Sequence, residues 1–82
     1  MRYQLEIKEE ALQQLRALPA EQRRNIGRRL EALRRDFSGD VKKLAARTQE
    51  YRLRVGAFRV LFMLANDCIT VYAVRDRKEA YE

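Results

Sequence analysis

The segment 42–59 holds the side chains most able to do chemistry, because it carries six basic residues and a single acidic one. The six are Lys42, Lys43, Arg47, Arg52, Arg54 and Arg59. Most are arginine, whose planar guanidinium matches phosphate oxygens and keeps its charge at any physiological pH. Because Glu50 alone cannot neutralise the cluster, the segment predicts an anion-binding site. Nucleic acid is the leading candidate for the anion, and an acidic protein surface is the second.

The composition excludes several other kinds of site. The chain has no histidine and one cysteine, so it has no imidazole acid–base pair, no Cys–His nucleophile, no internal disulfide and no paired-cysteine metal site. Its three glycines lack the spacing of a phosphate-binding loop. We therefore expect neither a metal nor another cofactor. Asp36 and Asp40 are interpreted as helix-end residues, and Cys68 as a small residue at the start of the last strand.

A β-hairpin is predicted to bring three of the arginines together. Positions 51–64 alternate as two strands around Gly56-Ala57, a two-residue loop of the kind that suits a type II′ turn. This loop sets Arg54 opposite Arg59, which leaves one face of the hairpin apolar and places Arg52 on the other with them. Opposed like charges destabilise a sheet by about 0.2–1 kcal/mol. A visiting anion would offset that cost.

The remaining elements are predicted from hydrophobic periodicity. Residues 2–8 alternate as a strand, and apolar stripes indicate one helix from Glu9 to the stop at Pro19 and a second from Ala20 to about Arg35. Another strand, Ile69–Arg75, follows a turn at Asn66-Asp67. The fold class is therefore α+β: an N-terminal strand, a two-helix antiparallel hairpin, and a three-stranded antiparallel meander that completes one sheet. Residues 1–82 form a single domain.

The last ten residues add four side chains of interest: Arg75, Arg77, Lys78 and Tyr81. Arg75 ends the last strand and can reach the arginine face of the hairpin, but a one-residue change of register would move it to the other face. Tyr81 beside arginines could stack on an unpaired base. The arginines of the second helix lie away from its apolar stripe, so they form either a solvated face or a docking surface.

The overall charge and hydropathy indicate a cytoplasmic protein. The chain carries 18 Lys and Arg against 12 Asp and Glu, a net charge of +6. With 46% hydrophobic residues it can build one core, and no apolar run approaches the ~20 residues needed to span a bilayer. The N-terminus lacks the apolar stretch of a signal peptide. We expect no membrane association.

The residues of the hairpin resemble a known family. The run YRLRVGAFRVLF at positions 51–62 is preceded by Lys43-Leu44 and followed by a Val-rich strand and Arg75…Tyr81. This pattern is similar to the RelE branch of the RelE/ParE toxins, the toxic halves of type II toxin–antitoxin pairs. Element order, length and charge agree over essentially the whole chain. The resemblance implies a small RelE-like ribonuclease fold.

The same resemblance implies an activity and the residues that perform it. RelE-like toxins enter the ribosomal A site and cut mRNA by attack of a ribose 2′-hydroxyl on the adjacent phosphate. Carried over by position, the catalytic residues are Arg52, Arg54, Arg59, Arg75 and Tyr81. Arg54 and Arg59 would hold the scissile phosphate, Arg75 would lie by the leaving 5′-oxygen, and Tyr81 would orient a base or pass a proton. The proton acceptor stays open, because arginine does not give up its proton.

Further basic residues beside the hairpin and near the C-terminus are predicted to bind RNA. They are Lys42, Lys43, Arg47, Arg77 and Lys78. The expected partners are an acidic antitoxin, the 70S ribosome and mRNA, with no small-molecule cofactor. Two alternatives remain: a ParE-like poison of DNA gyrase, since a fold does not settle function, and a non-catalytic module that binds RNA or a protein partner.

Overall fold

A computed structural model describes residues 3–45 and 49–78 and contains two helices and five strands in that part of the chain. In chain order these are β1 (Gln4–Ile7), α1 (Glu9–Arg16), α2 (Ala20–Asp36), β2 (Asp40–Lys43), β3 (Glu50–Val55), β4 (Phe58–Ala65) and β5 (Cys68–Asp76). The predicted α+β class is confirmed. Within the described residues, neither helix is long and apolar enough to cross a membrane.

All five strands belong to one mixed sheet with the order β1-β5-β4-β3-β2. β5, β4, β3 and β2 pair antiparallel, whereas β1 runs parallel to β5. The two helices connect β1 to β2, and they cover one face of the sheet. We call this the core face.

The core lies between the helices and the core face, as the alternation in the sequence predicts. Ala11 and Leu15 of α1 and the apolar stripe of α2 pack against alternate residues of β3, β4 and β5. The largest fully buried side chains are Phe62, Ile26, Leu33, Leu53, Ile69, Val60 and Val71. Around them, an aromatic cluster joins β1, the end of α2, β3 and β4 through Tyr3, Phe37, Tyr51 and Phe62.

The hairpin of β3 and β4 has the predicted register. Val55 pairs with Phe58, Arg54 with Arg59 and Leu53 with Val60. Gly56 begins the two-residue loop with φ 58°, a left-handed conformation that glycine adopts at no steric cost. Because side chains alternate along a strand, this register puts the arginines on the face opposite the core.

β2 is a strand that hydrophobic periodicity did not reveal. It has four residues and a single apolar side chain, Val41, and it is an edge strand paired with β3. Gly39 directs the chain into it with φ 136°, where a side chain would be strained. A Cβ at this position would also lie 2.9 Å from Cδ1 of Leu53. Asp40 therefore belongs to a strand, which corrects its interpretation as a helix-end residue.

A one-residue bulge in β5 changes the register that the Asn66-Asp67 turn would otherwise impose. Phe62 pairs with Val71, but its neighbour Leu61 pairs with Ala73, so Tyr72 is the extra residue. From this point to its end, β5 is shifted by one position against β4. Such a shift exchanges the two faces of a strand.

The bulge is held by two side chains from other elements. Gln14 of α1 accepts a hydrogen bond at its Oε1 from the backbone N–H of Val74, with a donor–acceptor distance of 2.6 Å. On the opposite face, the Tyr72 hydroxyl donates to Oε1 of Glu50 at 2.9 Å. A backbone amide released from the ladder by the bulge thus has a partner, as buried amides require.

Candidate anion site on the open face of the sheet

Three arginines lie side by side across β3, β4 and β5. Arg54 pairs with Arg59, and Arg59 pairs with Arg75. We call these three residues the cationic row. Directly opposed residues on antiparallel strands point to the same face with Cβ atoms about 4.5–5.5 Å apart. The row therefore concentrates three positive charges on the face of the sheet that the core does not use.

The bulge is the reason that Arg75 joins this row. An unbroken register from the Asn66-Asp67 turn would place Val74 opposite Arg59 and would turn Arg75 toward the core face. With Tyr72 inserted, Arg75 lies opposite Arg59 instead. The dependence of Arg75 on register was foreseen from the sequence, and the bulge resolves it in favour of the row.

Arg59, in the middle of the row, is buried although it is charged. Only 4% of the residue is exposed. Its Nη1 donates to the carbonyl oxygens of Gly56 at 3.1 Å and Phe58 at 3.0 Å, which fixes the guanidinium against the hairpin loop. Its Nε is buried and has no hydrogen-bond partner.

An unpaired buried donor of this kind is costly. Leaving one unsatisfied destabilises a protein by about 1–3 kcal/mol, and by more when the group is charged. Among residues 3–45 and 49–78, no carboxylate forms an ion pair with Arg59. Arg59 is therefore a fixed cation whose charge and Nε donor the described part of the fold leaves uncompensated, which is the condition expected of a group that binds an anion.

Arg54, at one end of the row, is paired with a carboxylate. Its Nε lies 2.7 Å from Oδ2 of Asp40, and the two side chains are 57% and 56% exposed. The pairing follows from the sheet, because Asp40 of β2 is the residue directly opposite Arg54. Asp40 thus extends the row by one strand and supplies its one acidic end.

A polar pocket of about 470 Å³ opens beside the hairpin loop. Its lining residues come from α2, β2, the hairpin and the turn after β5: Arg29, Asp40, Arg54, Gly56, Arg59 and Arg77. Four guanidinium groups and one carboxylate converge there, so the lining carries a formal charge of +3. The cavity is large enough for a phosphate and its neighbouring sugar, and its charge favours an anion.

Arg52 and Lys42 lie on the same face as the row, two residues farther from the hairpin loop. They are directly opposite each other, Lys42 on β2 and Arg52 on β3. Neither lines the pocket. They extend the positive surface along the strands, so a chain of phosphates could contact both regions.

Two further predicted residues lie apart from the row. Lys43 is turned to the other face of β2, where its Nζ lies 6.0 Å from the centre of the Tyr51 ring. Lys78 is exposed in the turn after β5, where its backbone N–H donates to Oδ1 of Asp76 at 3.0 Å. Arg77, its neighbour, does line the pocket. Arg47 and Tyr81 lie outside the described residues.

Two charged residues of the pocket were not predicted as site residues. Arg29 was recognised only as one of several arginines on α2, and nothing in a helical stripe shows which of them reaches the hairpin. Asp40 was assigned to a helix end. The pairing of β2 with β3 would have identified Asp40, but a four-residue strand with one apolar position gives too weak a pattern.

Tyr72 adds a titratable group to the same face of the sheet. Burial raises its pKa from 10.0 to about 12, and the hydrogen bond to Glu50 and the charge of that carboxylate act in the same direction. The nearby charge of Arg75 lowers it. Tyr72 is therefore a neutral hydrogen-bond donor at neutral pH, and it ties the bulge to β3.

We expect this contact to make folding stability depend on pH above 10. The unfolded state ionises Tyr72 near pH 10, whereas the folded state holds the proton until about pH 12. The stabilisation is complete below pH 10 and is lost as the pH rises to 12. Urea unfolding of the wild type and of Tyr72→Phe across this range measures it. Parallel pH dependences in the two proteins would contradict the assignment.

Within the described residues, no three side chains among His, Cys, Asp and Glu come close enough together to hold a metal ion. Two carboxylates on this face contact other side chains: Asp40 pairs with Arg54, and Glu50 accepts a hydrogen bond from Tyr72.

Comparison with known proteins gives similarity in structure but not in sequence. No protein-family model matches the chain, and no curated protein is significantly similar to it. A chain of the archaeal RelE–RelB complex from Pyrococcus horikoshii matches with a TM-score of 0.82 and 24% identity, over 94% of this chain and 97% of that one. A chain of the RelB–RelE complex from Methanococcus jannaschii matches with a TM-score of 0.78 and 24% identity, over 93% of this chain and 94% of that one.

The isolated RelE toxin of E. coli is also similar, with a TM-score of 0.77 and 20% identity over 96% of this chain and 90% of that chain. The matches extend over nearly the full length of both proteins, so they cover the whole fold and not one part of it. The chain has the RelE fold, as the resemblance of its hairpin predicted.

Proposed function

We propose that this protein is the toxin of a type II toxin–antitoxin pair and that it is an endoribonuclease acting on mRNA in the ribosomal A site. The observation that carries the proposal is the buried guanidinium of Arg59, held with an unpaired Nε donor between two further arginines. The RelE fold supports the same assignment. The substrate phosphate would supply the negative charge that Arg59 lacks among the described residues.

The row suits the charge changes of phosphodiester cleavage. When the 2′-hydroxyl attacks, negative charge builds on the phosphate oxygens, and donors fixed in advance stabilise it without reorganisation. Arg59 is fixed by two carbonyl oxygens, and Arg54 and Arg75 flank it. In this proposal Arg54 and Arg59 bind the phosphate, and Arg75 stabilises the leaving 5′-oxygen. Tyr81 orients the neighbouring base.

The ribosome would contribute the orientation of the substrate. Holding the 2′-oxygen, phosphorus and 5′-oxygen in line is worth up to several orders of magnitude in rate, and the open pocket of this small domain has few groups with which to impose it. The remaining basic residues, including Arg52, Lys42 and Lys78, would contact RNA phosphates. Such binding would weaken steeply with salt, and a protein that acts on translating ribosomes would work in the cytoplasm.

The partner in the cell would be an acidic antitoxin. Two of the similar structures are complexes of RelE with RelB. A chain of net charge +6 suits a small acidic protein with a segment that folds as it binds. By covering the cationic row, such a segment would block access of RNA to the site.

The experiment that tests the proposal is translation with purified 70S ribosomes, followed by primer extension on the mRNA. We expect cuts inside codons that appear only when the protein and ribosomes are both present, and that disappear when the antitoxin is added. Intact mRNA would refute the nuclease assignment. Gyrase-dependent DNA breaks in expressing cells would then indicate the ParE-like alternative, and salt-sensitive RNA binding without product would indicate a non-catalytic module.

A further inference from the structure

The proposed reaction needs a proton acceptor for the 2′-hydroxyl, and the arginines of the pocket cannot act as one. A guanidinium keeps its proton at any pH at which the protein is folded. Among the side chains that line the pocket, Asp40 is the one that can accept a proton. Asp40 reaches the pocket because it belongs to β2, the strand that hydrophobic periodicity did not reveal.

The order of residues across the sheet matches the order of atoms in an in-line displacement. Reading from β2 to β5, the directly paired residues are Asp40, Arg54, Arg59 and Arg75. Adjacent strands are about 4.8 Å apart, so this line spans about 14 Å between backbones. A phosphate on Arg59 would have a carboxylate on the side of β2 and a guanidinium on the side of β5. Attacking and leaving oxygens lie on opposite sides of phosphorus in the same way.

The ion pair with Arg54 orients this carboxylate without enclosing it. The contact joins Nε of Arg54 to Oδ2 of Asp40 at 2.7 Å. The Asp40 side chain is 56% exposed to solvent. One carboxylate oxygen is therefore held by the phosphate-binding arginine, while the other is available to a ribose hydroxyl.

We infer that Asp40 is the general base of the cleavage reaction, an assignment that rests on the proposed function. The Asp40 carboxylate takes the proton from the 2′-hydroxyl as the 2′-oxygen forms its bond to phosphorus. The bond from phosphorus to the 5′-oxygen breaks, and the 5′-oxygen takes a proton from water while Arg75 stabilises its charge. The products are a 2′,3′-cyclic phosphate and a 5′-hydroxyl, and Asp40 then returns its proton to solvent.

A purely positioning role of Asp40 would affect substrate binding instead of the chemical step. Asp40 could simply hold Arg54 in place, or it could compete with the phosphate for that arginine. An ion pair as exposed as this one contributes only about 0–1 kcal/mol to stability, so its removal leaves the protein folded. Substrate binding and the chemical step can therefore be measured separately in the same variant.

The test compares wild type with Asp40→Asn in single-turnover cleavage on programmed 70S ribosomes. Binding is measured with mRNA that carries a 2′-deoxy nucleotide at the cut site and cannot react. We expect the rate at saturation to fall about 10²–10⁴-fold, the usual contribution of a general base, while binding is unchanged or tighter because a negative charge is gone. The residual rate should rise about tenfold per pH unit, since hydroxide then removes the proton. Asp36→Asn, an exposed carboxylate at the end of α2, is the matched control.

Each outcome has a distinct meaning. Loss of rate with retained binding, a steeper pH profile and partial recovery in Asp40→Glu support Asp40 as the base. Cleavage by Asp40→Asn at or above the wild-type rate overturns the inference, as does a loss of binding that accounts for the whole effect. If the wild type itself cuts no mRNA on ribosomes, the proposed function fails, and the assignment of Asp40 falls with it.

Discussion

Replacing Arg59 by methionine is expected to lower the rate of mRNA cleavage by about 10²–10³-fold while leaving the stability of the protein close to that of the wild type or higher. Methionine fills a similar volume without a charge, so the buried Nε that lacks a partner disappears together with the desolvation cost of the guanidinium. Exchanging buried charges for well-packed apolar groups is often neutral or stabilising. The two hydrogen bonds from Nη1 are lost at the same time, and their loss offsets part of this gain. The free energy of unfolding should therefore change by less than about 1 kcal/mol or rise.

The cleavage rate should fall in this variant although its stability does not. Loss of one donor that stabilises a developing oxyanion lowers the rate by about 10²–10³-fold, and Arg59 lies at the centre of the row with a neighbour on each side. Arg59→Lys keeps the positive charge but loses the planar guanidinium with its several N–H donors, so this variant should recover only part of the rate. Single-turnover cleavage on ribosomes and urea unfolding of the same preparations measure both effects.

Arg16→Met, an exposed arginine in the last turn of α1, is the control for the general loss of one positive charge. It should leave both quantities close to wild type. A strongly destabilised Arg59→Met would show that the arginine is a structural residue. Full cleavage by Arg59→Met would show that Arg59 has no part in the reaction, which contradicts the main argument for the proposed function.

The largest effect on folding is expected from Phe62→Ala. Phe62 has no exposed surface and lies at the centre of the aromatic cluster, with its ring stacked on Tyr51 at 5.4 Å and edge-on to Phe37 at 6.1 Å. Truncation of a buried phenylalanine costs about 3–5 kcal/mol. A domain of this size is stable by roughly 4–12 kcal/mol in total, so the variant should be close to the limit of folding.

Urea denaturation followed by far-ultraviolet circular dichroism measures this effect, and the midpoint should fall by about 2 M or more. Met63→Ala is the matched control, because Met63 is the next residue of the same strand but points to the other face and is 44% exposed. It should cost less than about 0.5 kcal/mol. Equal effects of the two truncations would mean that the core does not lie on the predicted face of β4.

Local patterns were sufficient to predict the hairpin and its register. A two-residue loop leaves one way to pair its strands, and alternation then decides which residues are buried. Gly56 and the apolar residues around it therefore predicted that Arg54 faces Arg59 across the strands, and the structure confirms this pairing. The same reasoning defined both helices to within a residue or two, because their apolar stripes are long.

The rest of the site depends on features with little or no local pattern. β2 has one apolar residue and lies at the edge of the sheet, so Asp40 looked like part of a helix end. The bulge at Tyr72 depends on Gln14 from α1 and Glu50 from β3, neither of which is near it in sequence. Arg29 reaches the pocket through the packing of α2 against the sheet. Each of these is a tertiary effect, and a single sequence records it only indirectly.

The pairing of β1 with β5 has a consequence for the order of events during synthesis. β1 is the first strand to leave the ribosome, yet its neighbour in the sheet is the last strand made. Because such distant pairings form late, a growing chain can form its helices and hairpin but cannot close the sheet. Arg75 arrives on that same final strand. The cationic row is therefore completed only after β5 has been synthesised and has paired with β4.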